Sequence, residues 1–359
     1  MLKLNFIDFA QGRMSLVGRC FVAFFQPPPF SSFPASSRDM SPPLWPNLFI
    51  VGAAKAGTTS LYEYLRGHPD VFFPSIKEPH FFTEVRPAPE HRYAQRRFVT
   101  RREEYLALYE GAKGKALRGD ASPSYLWCPA APARIAQVSP EARIVVLLRD
   151  PIERAYSHYL MEFREGADHG TFAEALARDQ ARPEKGWAVS HLYLELGFYA
   201  TQLARYFEHF PRAQVFVLEL EELRGQKARR EALARLCAFL GIDPAGLDEE
   251  AFAHVANGYA APRAEWLRRL AGARWARAIG NRLVPERLGR AVFERFFLRP
   301  APPPPIPEAL RAELARLYAP EIDRLEVLLG RTLPSLRRAW PEALPPPPSR
   351  LAAPLSLAT

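Results

Sequence analysis

The chain has 359 residues, 48% of them hydrophobic, enough to bury a full core as one large α/β domain or two smaller ones, which excludes a largely disordered protein. Its formal charge of +9 comes mostly from arginine in an Ala- and Pro-rich background, a bias that a GC-rich genome alone produces, so the charge does not call for a nucleic-acid partner. The three cysteines, Cys20, Cys128 and Cys237, are odd in number and far apart, which gives neither a disulfide framework nor metal-ligand spacing and points to a reducing cytoplasm.

Residues 1–46 are rich in Phe, Pro and Ser without a period and read as a disordered extension. The apolar stretch Ser15 to Phe25 is broken by Gly18 and Arg19 and is followed by Pro27-Pro28-Pro29 rather than a small-residue cleavage site. No stretch reaches the roughly 20 apolar residues that span a bilayer, so no transmembrane segment is expected.

The folded part begins at 47. Leu48 to Val51 has the length and β-branching of a buried strand, and Ser60-Leu61-Tyr62-Glu63-Tyr64-Leu65 resumes with helical spacing until Gly67 and Pro69 end it. Between them runs Gly52-Ala53-Ala54-Lys55-Ala56-Gly57-Thr58-Thr59. Glycines that admit a ligand near the backbone, free N–H groups at a helix start and one lysine make a socket for a phosphate or sulfate group. A nucleotide phosphate-binding loop would read G-x-x-x-x-G-K-[ST]; here Thr58 stands in the lysine position, and the lysine comes three residues after Gly52.

Further strands are expected at Val71 to Phe73, Leu117 to Asp120, Arg143 to Leu148 and Gln214 to Glu219, alternating with helical patterns. That alternation predicts an α/β fold, a single domain with a central, mainly parallel sheet flanked by helices. The fourth strand delivers Arg149 at its carboxyl end, where open α/β sheets place their ligands. The helix after it has Asp150 as N-cap, Pro151 in its first position, Glu153 completing a pair of the capping-box kind, and Ser157 two turns in. Arg149 is suited to hold a phosphate bidentately, with Ser157 as a further donor. Pro307 to Leu329 reads as helix with Leu310, Leu314, Leu317, Ile322 and Leu325 inward, stopped at Gly330, and a Pro-rich disordered tail covers 341–359.

The two anion motifs, with Lys77-Glu78-Pro79-His80-Phe81-Phe82 between them, then Gly119-Asp120-Ala121-Ser122-Pro123-Ser124-Tyr125-Leu126 and a late Leu329-Gly330-Arg331-Thr332-Leu333, give the chain from about 47 to 340 a specific likeness. It resembles the sulfotransferases that use 3′-phosphoadenosine 5′-phosphosulfate (PAPS), in particular the Golgi heparan sulfate and bacterial sulfotransferase-domain families, whose fold is of the P-loop nucleotide hydrolase kind. The resemblance implies that Lys55, Ala56, Gly57, Thr58 and Thr59 bind the 5′-phosphosulfate and that Arg149 and Ser157 bind the 3′-phosphate, with PAP as product and no metal. A third donor contact of the family has a loose counterpart in Arg263.

Lys55 is then the cation beside the leaving phosphate oxygen. Glu78 resembles the general base, and its position beside Pro79 and the paired phenylalanines leads us to expect a raised pKa. His80 would lie on the same side of an extended segment and assist the base or orient the acceptor. Two departures touch the acceptor side: Ala121 stands where the heparan sulfate enzymes carry a lysine, and Thr83 precedes Glu84 where they carry an acid after the phenylalanines.

The acceptor, a glycan or small molecule, is expected against 83–110 and 164–197. There Arg92, Arg96, Arg97, Arg101 and Arg102 form either a basic face or a solvated helix surface. Tyr193, Phe198 and Tyr199 line a sugar or lipid site or belong to the core. The alternatives are a P-loop nucleotide kinase and a catalytically silent nucleotide- or glycan-binding protein of the same fold. The sequence leaves the oligomeric state open.

Overall fold

The computed structural model describes residues 43–83, 98–187, 190–247, 260–262 and 298–341. Arg263, Arg92, Arg96, Arg97, Glu84 and residues 342–359 of the expected C-terminal tail lie outside the described residues, as do residues 1–42 of the expected N-terminal extension. Five strands, β1 (Leu48–Gly52), β2 (Val71–Phe72), β3 (Leu117–Asp120), β4 (Arg143–Leu148) and β5 (Val215–Glu219), form one sheet in the order β2-β3-β1-β4-β5. Every pairing in it is parallel, as expected from the alternation of strands and helices. A separate antiparallel pair joins β6 (Ala260–Pro262) to β7 (Leu298–Pro300).

Period-two alternation sorts the strand residues between two cores. Leu48 and Ile50 of β1 and Val145 and Leu147 of β4 face helix α1 (Thr58–Arg66). Phe49, Val51, Ile144, Val146 and Leu148 face the opposite side, where α2 (Arg102–Ala107), α3 (Ser124–Trp127) and α4 (Ala131–Val138) pack. Helices α5 (Pro151–Arg164) and α6 (Phe172–Gln180) build a satellite core. Of the rest, α7 (Tyr199–Phe207) covers the Phe49 side, α8 (Gln226–Leu240) the Leu48 side, and α9 (Glu308–Leu329) contributes to both the Phe49 core and the satellite. Ahead of β1, the Trp45 ring lies 6.0–6.2 Å from those of Phe81, Phe82 and Tyr105. No helix among the described residues is long and apolar enough to cross a membrane.

The chain runs outward and back on one side of β1, through β2 and β3, and then crosses to β4 on the other. The carboxyl ends of β1 and β4 therefore flank the point where strand order reverses, the usual ligand crevice of an open parallel sheet. Pairing of these strands runs Phe49 to Ile144 and Ile50 to Val145, then slips so that Gly52 meets Val146. That irregularity turns β1 into the loop.

Helix α5 starts as its sequence predicts at Asp150, whose Oδ1 accepts from the backbone N–H of Ile152 (2.9 Å) and Glu153 (3.2 Å). Glu153 does not complete a capping box. Its Oε1 accepts instead from Arg311 Nη1 of α9 at 2.9 Å, because a guanidinium within reach offers a stronger donor than a backbone N–H. Burial pushes the Asp150 carboxyl up to about 6, against the two N–H bonds that favour its charged form. A carboxyl with a raised folded pKa costs stability once ionised, so the cost is absent in acid and grows as pH rises from the ordinary value of 3.8 through about 6. In urea unfolding, Asp150→Ala should lose about 1 kcal/mol for the missing cap. Asp150→Asn, which keeps the acceptor oxygen, should match or exceed the parent at about pH 8, and the two should converge as pH falls from about 6 toward 3.8.

Candidate active site

Helix α1 begins without a side-chain cap: its N-cap is Gly57, in the left-handed conformation at φ 97°. The first N–H groups of a helix have no partner within it, so this uncapped start directs its donors and the positive end of its dipole at the loop. Gly57 is required twice over. A Cβ there would stand 2.7 Å from Leu220 Cδ1 and 3.2 Å from Leu147 Cδ2, besides the positive φ. Ala56 and Thr58 are buried and Thr59 is exposed at the mouth.

Lys55 is also left-handed, at φ 67°, which turns its half-buried side chain out of the loop toward α5. There Nζ lies 3.3 Å from Met161 Sδ, a weak acceptor, and makes no ion pair among the described residues. Burial, followed by the charge of Arg164, lowers its pKa, while Glu165 and Glu162 oppose the shift. A cation without a strong partner among the described residues fits an anion.

Arg149 lies at the tip of the neighbouring strand, and its Nη1 donates to the carbonyl of Lys55 at 3.2 Å. Its own carbonyl accepts from Tyr199 OH of α7 at 2.8 Å, which fixes the backbone from behind. The two sequence motifs thus meet at one crevice. Ser157 is half-buried on α5 and forms no side-chain hydrogen bond among the described residues.

Glu78, His80 and Lys77 form a second cluster at the same sheet edge. Glu78 Oε1 accepts from Lys77 Nζ at 2.7 Å, and Oε2 lies 3.6 Å from His80 Nε2. The expected rise in the Glu78 pKa is corrected here. Burial does push it up, but the hydrogen bond and charge of His80 and the ammonium of Lys77 outweigh burial and hold the carboxyl down at about 2. Nothing local in the sequence shows that Lys77 and His80 converge on this carboxylate.

The segment is not extended at His80, whose φ of 55° turns it, and the turn is what brings the imidazole back toward Glu78. His80 is buried and held on three sides. Its N–H donates to Ser122 Oγ (3.0 Å), its Nδ1 lies 2.6 Å from Ser124 Oγ, and its ring packs against Phe98 and Trp187.

Behind it, the fully buried Asp120 accepts from Tyr105 OH and Ser122 Oγ, each at 2.6 Å, and from Tyr125 OH at 2.8 Å. Burial still raises the Asp120 pKa despite these three donors. Ser122 therefore links a buried carboxylate to the backbone of His80, a relay that only the fold reveals.

Other candidates fall elsewhere. Tyr193 and Tyr199 are fully buried, and Phe198 packs on Tyr318, so all three belong to the core. Arg102 lies over the Trp45 ring and Arg101 pairs with Glu104. A flank that sequence reasoning missed lies along α5. Glu162 is 3.6 Å from His158 Nε2 and 3.7 Å from His191 Nδ1, and His191 stacks on Tyr193. The spacing of His158 and Glu162 was its one visible signal. Among the described residues, no group of three or more His, Cys, Asp or Glu is placed to hold a metal ion.

Comparison with known proteins agrees with this geometry. The model of the sulfotransferase family matches residues 46–245. The chain is 30% identical over 241 residues to heparan sulfate glucosamine 3-O-sulfotransferase 3B1 of Mus musculus, covering 65% of this chain and 55% of that protein. It is 28% identical over 271 residues to carbohydrate sulfotransferase 15 of Mus musculus, covering 57% and 45%. The chain thus spans about half the length of these curated relatives.

The crystal structure of a sulfotransferase from Alicyclobacillus acidocaldarius superposes with a TM-score of 0.62 at 29% identity, covering 82% of this chain and all of that one. The parallel sheet with helices on both faces is the sulfotransferase fold. With more than half its length matched, including the β1 loop, Glu78 and the arginine after β4, the chain belongs to the sulfotransferase family.

Proposed function

We propose that the chain is a PAPS-dependent sulfotransferase that transfers a sulfuryl group to a hydroxyl, in preference to an amine, of a carbohydrate-like or small-molecule acceptor. The observation that carries this reading is that Arg149 ties the Lys55 carbonyl in the loop leading to an uncapped helix start, while Lys77 joins the Glu78 carboxylate to that same helix start. When bound, the donor supplies a sulfuryl group on a phosphate leaving group, transferred in line through a loose transition state.

The residues divide the work. The N–H groups at the start of α1, with Thr58 and Thr59, hold the phosphosulfate end, and Arg149 with Ser157 holds the 3′-phosphate. Lys55 supplies positive charge where negative charge develops on the leaving oxygen. Glu78 takes the proton of the acceptor hydroxyl. So acidic a carboxylate accepts it late, as the new S–O bond withdraws electrons from the hydroxyl, which suits a loose transition state. His80, fixed by Ser122 and Ser124, orients Glu78. Relatives named for heparan sulfate glucosamine and for carbohydrate support a sugar hydroxyl as acceptor.

Adenosine 3′,5′-bisphosphate without Mg²⁺ should raise the melting temperature, and ATP with Mg²⁺ should not; the reverse result would favour the kinase. In a transfer assay with labelled donor across a broad set of acceptors, Glu78→Gln should lose roughly 10²- to 10⁴-fold in kcat while still binding the bisphosphate. Lys55→Ala should lose roughly 10²- to 10³-fold. If no acceptor is ever labelled, the silent binding protein is the better reading.

The base works ionised, so activity falls as pH drops through the Glu78 pKa. With that value at about 2, kcat/KM should show no acid limb from Glu78 at any pH where the protein stays folded.

A further inference from the structure

Lys77 immediately precedes the base, yet its side chain bridges two separate elements. Nζ donates to Glu78 Oε1 at 2.7 Å and to Thr59 Oγ1 at 2.9 Å, the second residue of α1. An ammonium carries three donors, so one remains for an acceptor at the helix start. The ring of Tyr62, also on α1, lies 5.6 Å from Nζ and helps to hold the cation there.

Among the described residues, few charged or titratable groups face Glu78. Lys77 and His80 meet its two oxygens from its own segment. Helix α1 offers the neutral Thr59 hydroxyl through Lys77. Behind His80, β3 contributes the buried Asp120. The rings packed on His80, Phe98 and Trp187, are uncharged. Among the described residues, Lys77 is thus the group in contact with both Thr59 at the start of α1 and the base.

We propose that Lys77 is a positioning residue that couples the loop to the base. Its ammonium holds the Glu78 carboxylate ionised and aimed at the start of α1. When a phosphate or sulfate oxygen enters there, the ammonium shares its charge with that oxygen, and Glu78 becomes the stronger base at that moment. Base strength is then tied to donor binding, with no bond made or broken at Lys77. The inference rests on the reading of Glu78 as the base, and it adds a role that neither the loop motif nor the base requires of the residue between them.

The test reads the carboxyl directly, without turnover. The ¹³Cδ resonance of Glu78, in protein labelled at its glutamate carboxyls and assigned by its loss in Glu78→Gln, is titrated in the parent, Lys77→Met and Lys77→Arg. Lys77→Met should raise the Glu78 pKa by at least about one unit, and Lys77→Arg, which keeps the charge, should restore it to within about half a unit. Saturating adenosine 3′,5′-bisphosphate should raise it in the parent and leave it unchanged in Lys77→Met.

A Lys77→Met titration that overlays the parent overturns the proposal. So does a parent that binds the bisphosphate by calorimetry without any change in Glu78. A parent that fails to bind the bisphosphate overturns the donor assignment and the coupling together, while the titration of the free protein still decides whether Lys77 holds Glu78.

Discussion

The hydrogen bond from Arg149 to the carbonyl of Lys55 is the constraint on which the rest of the site depends. It ties the loop after β1 to the end of β4, two strands that are neighbours only because the sheet order reverses between them. A guanidinium has five donors in a fixed fork, so one bond to a carbonyl leaves the others for a ligand. The same arginine therefore shapes the loop and, under the proposed function, meets the loop's ligand. Tyr199 fixes its backbone from the opposite side of the sheet, so the position of this side chain is set by the core rather than by solvent.

Charge in the site is arranged asymmetrically. Lys55 has lost hydration to burial and, among the described residues, receives only a thioether in return, so an incoming anion would restore an interaction that these residues withhold. Glu78 has the opposite condition: two positively polarised partners already satisfy its carboxylate. One half of the crevice is short of a counter-charge and the other is saturated.

The sheet and its order of elements were legible because buried parallel strands are short β-branched runs and their helices carry capping residues. Strands β1, β3, β4 and β5 and the start of α5 fall within a residue of where the sequence puts them. Both anion motifs were legible for the same reason, since Lys55 and Arg149 follow strand ends and Gly57 opens a helix, positions that backbone pattern alone can place. Contacts between segments distant in sequence were not. Nothing local says that Lys77 reaches Thr59, that Ser122 joins Asp120 to His80, or that Glu153 turns from its own helix to Arg311. The pKa of Glu78 was misjudged for this reason: hydrophobic neighbours are visible in the sequence around it, whereas the left-handed turn that swings His80 onto it is a tertiary result.

Leu147 and Leu220 press on Gly57 from β4 and from the turn that follows β5, so the width of the anion loop is dictated by hydrophobic packing two strands away. A loop moulded in this way keeps its outline whether or not anything is bound. Little conformational entropy is then lost when an anion associates, so modest contacts suffice to hold it.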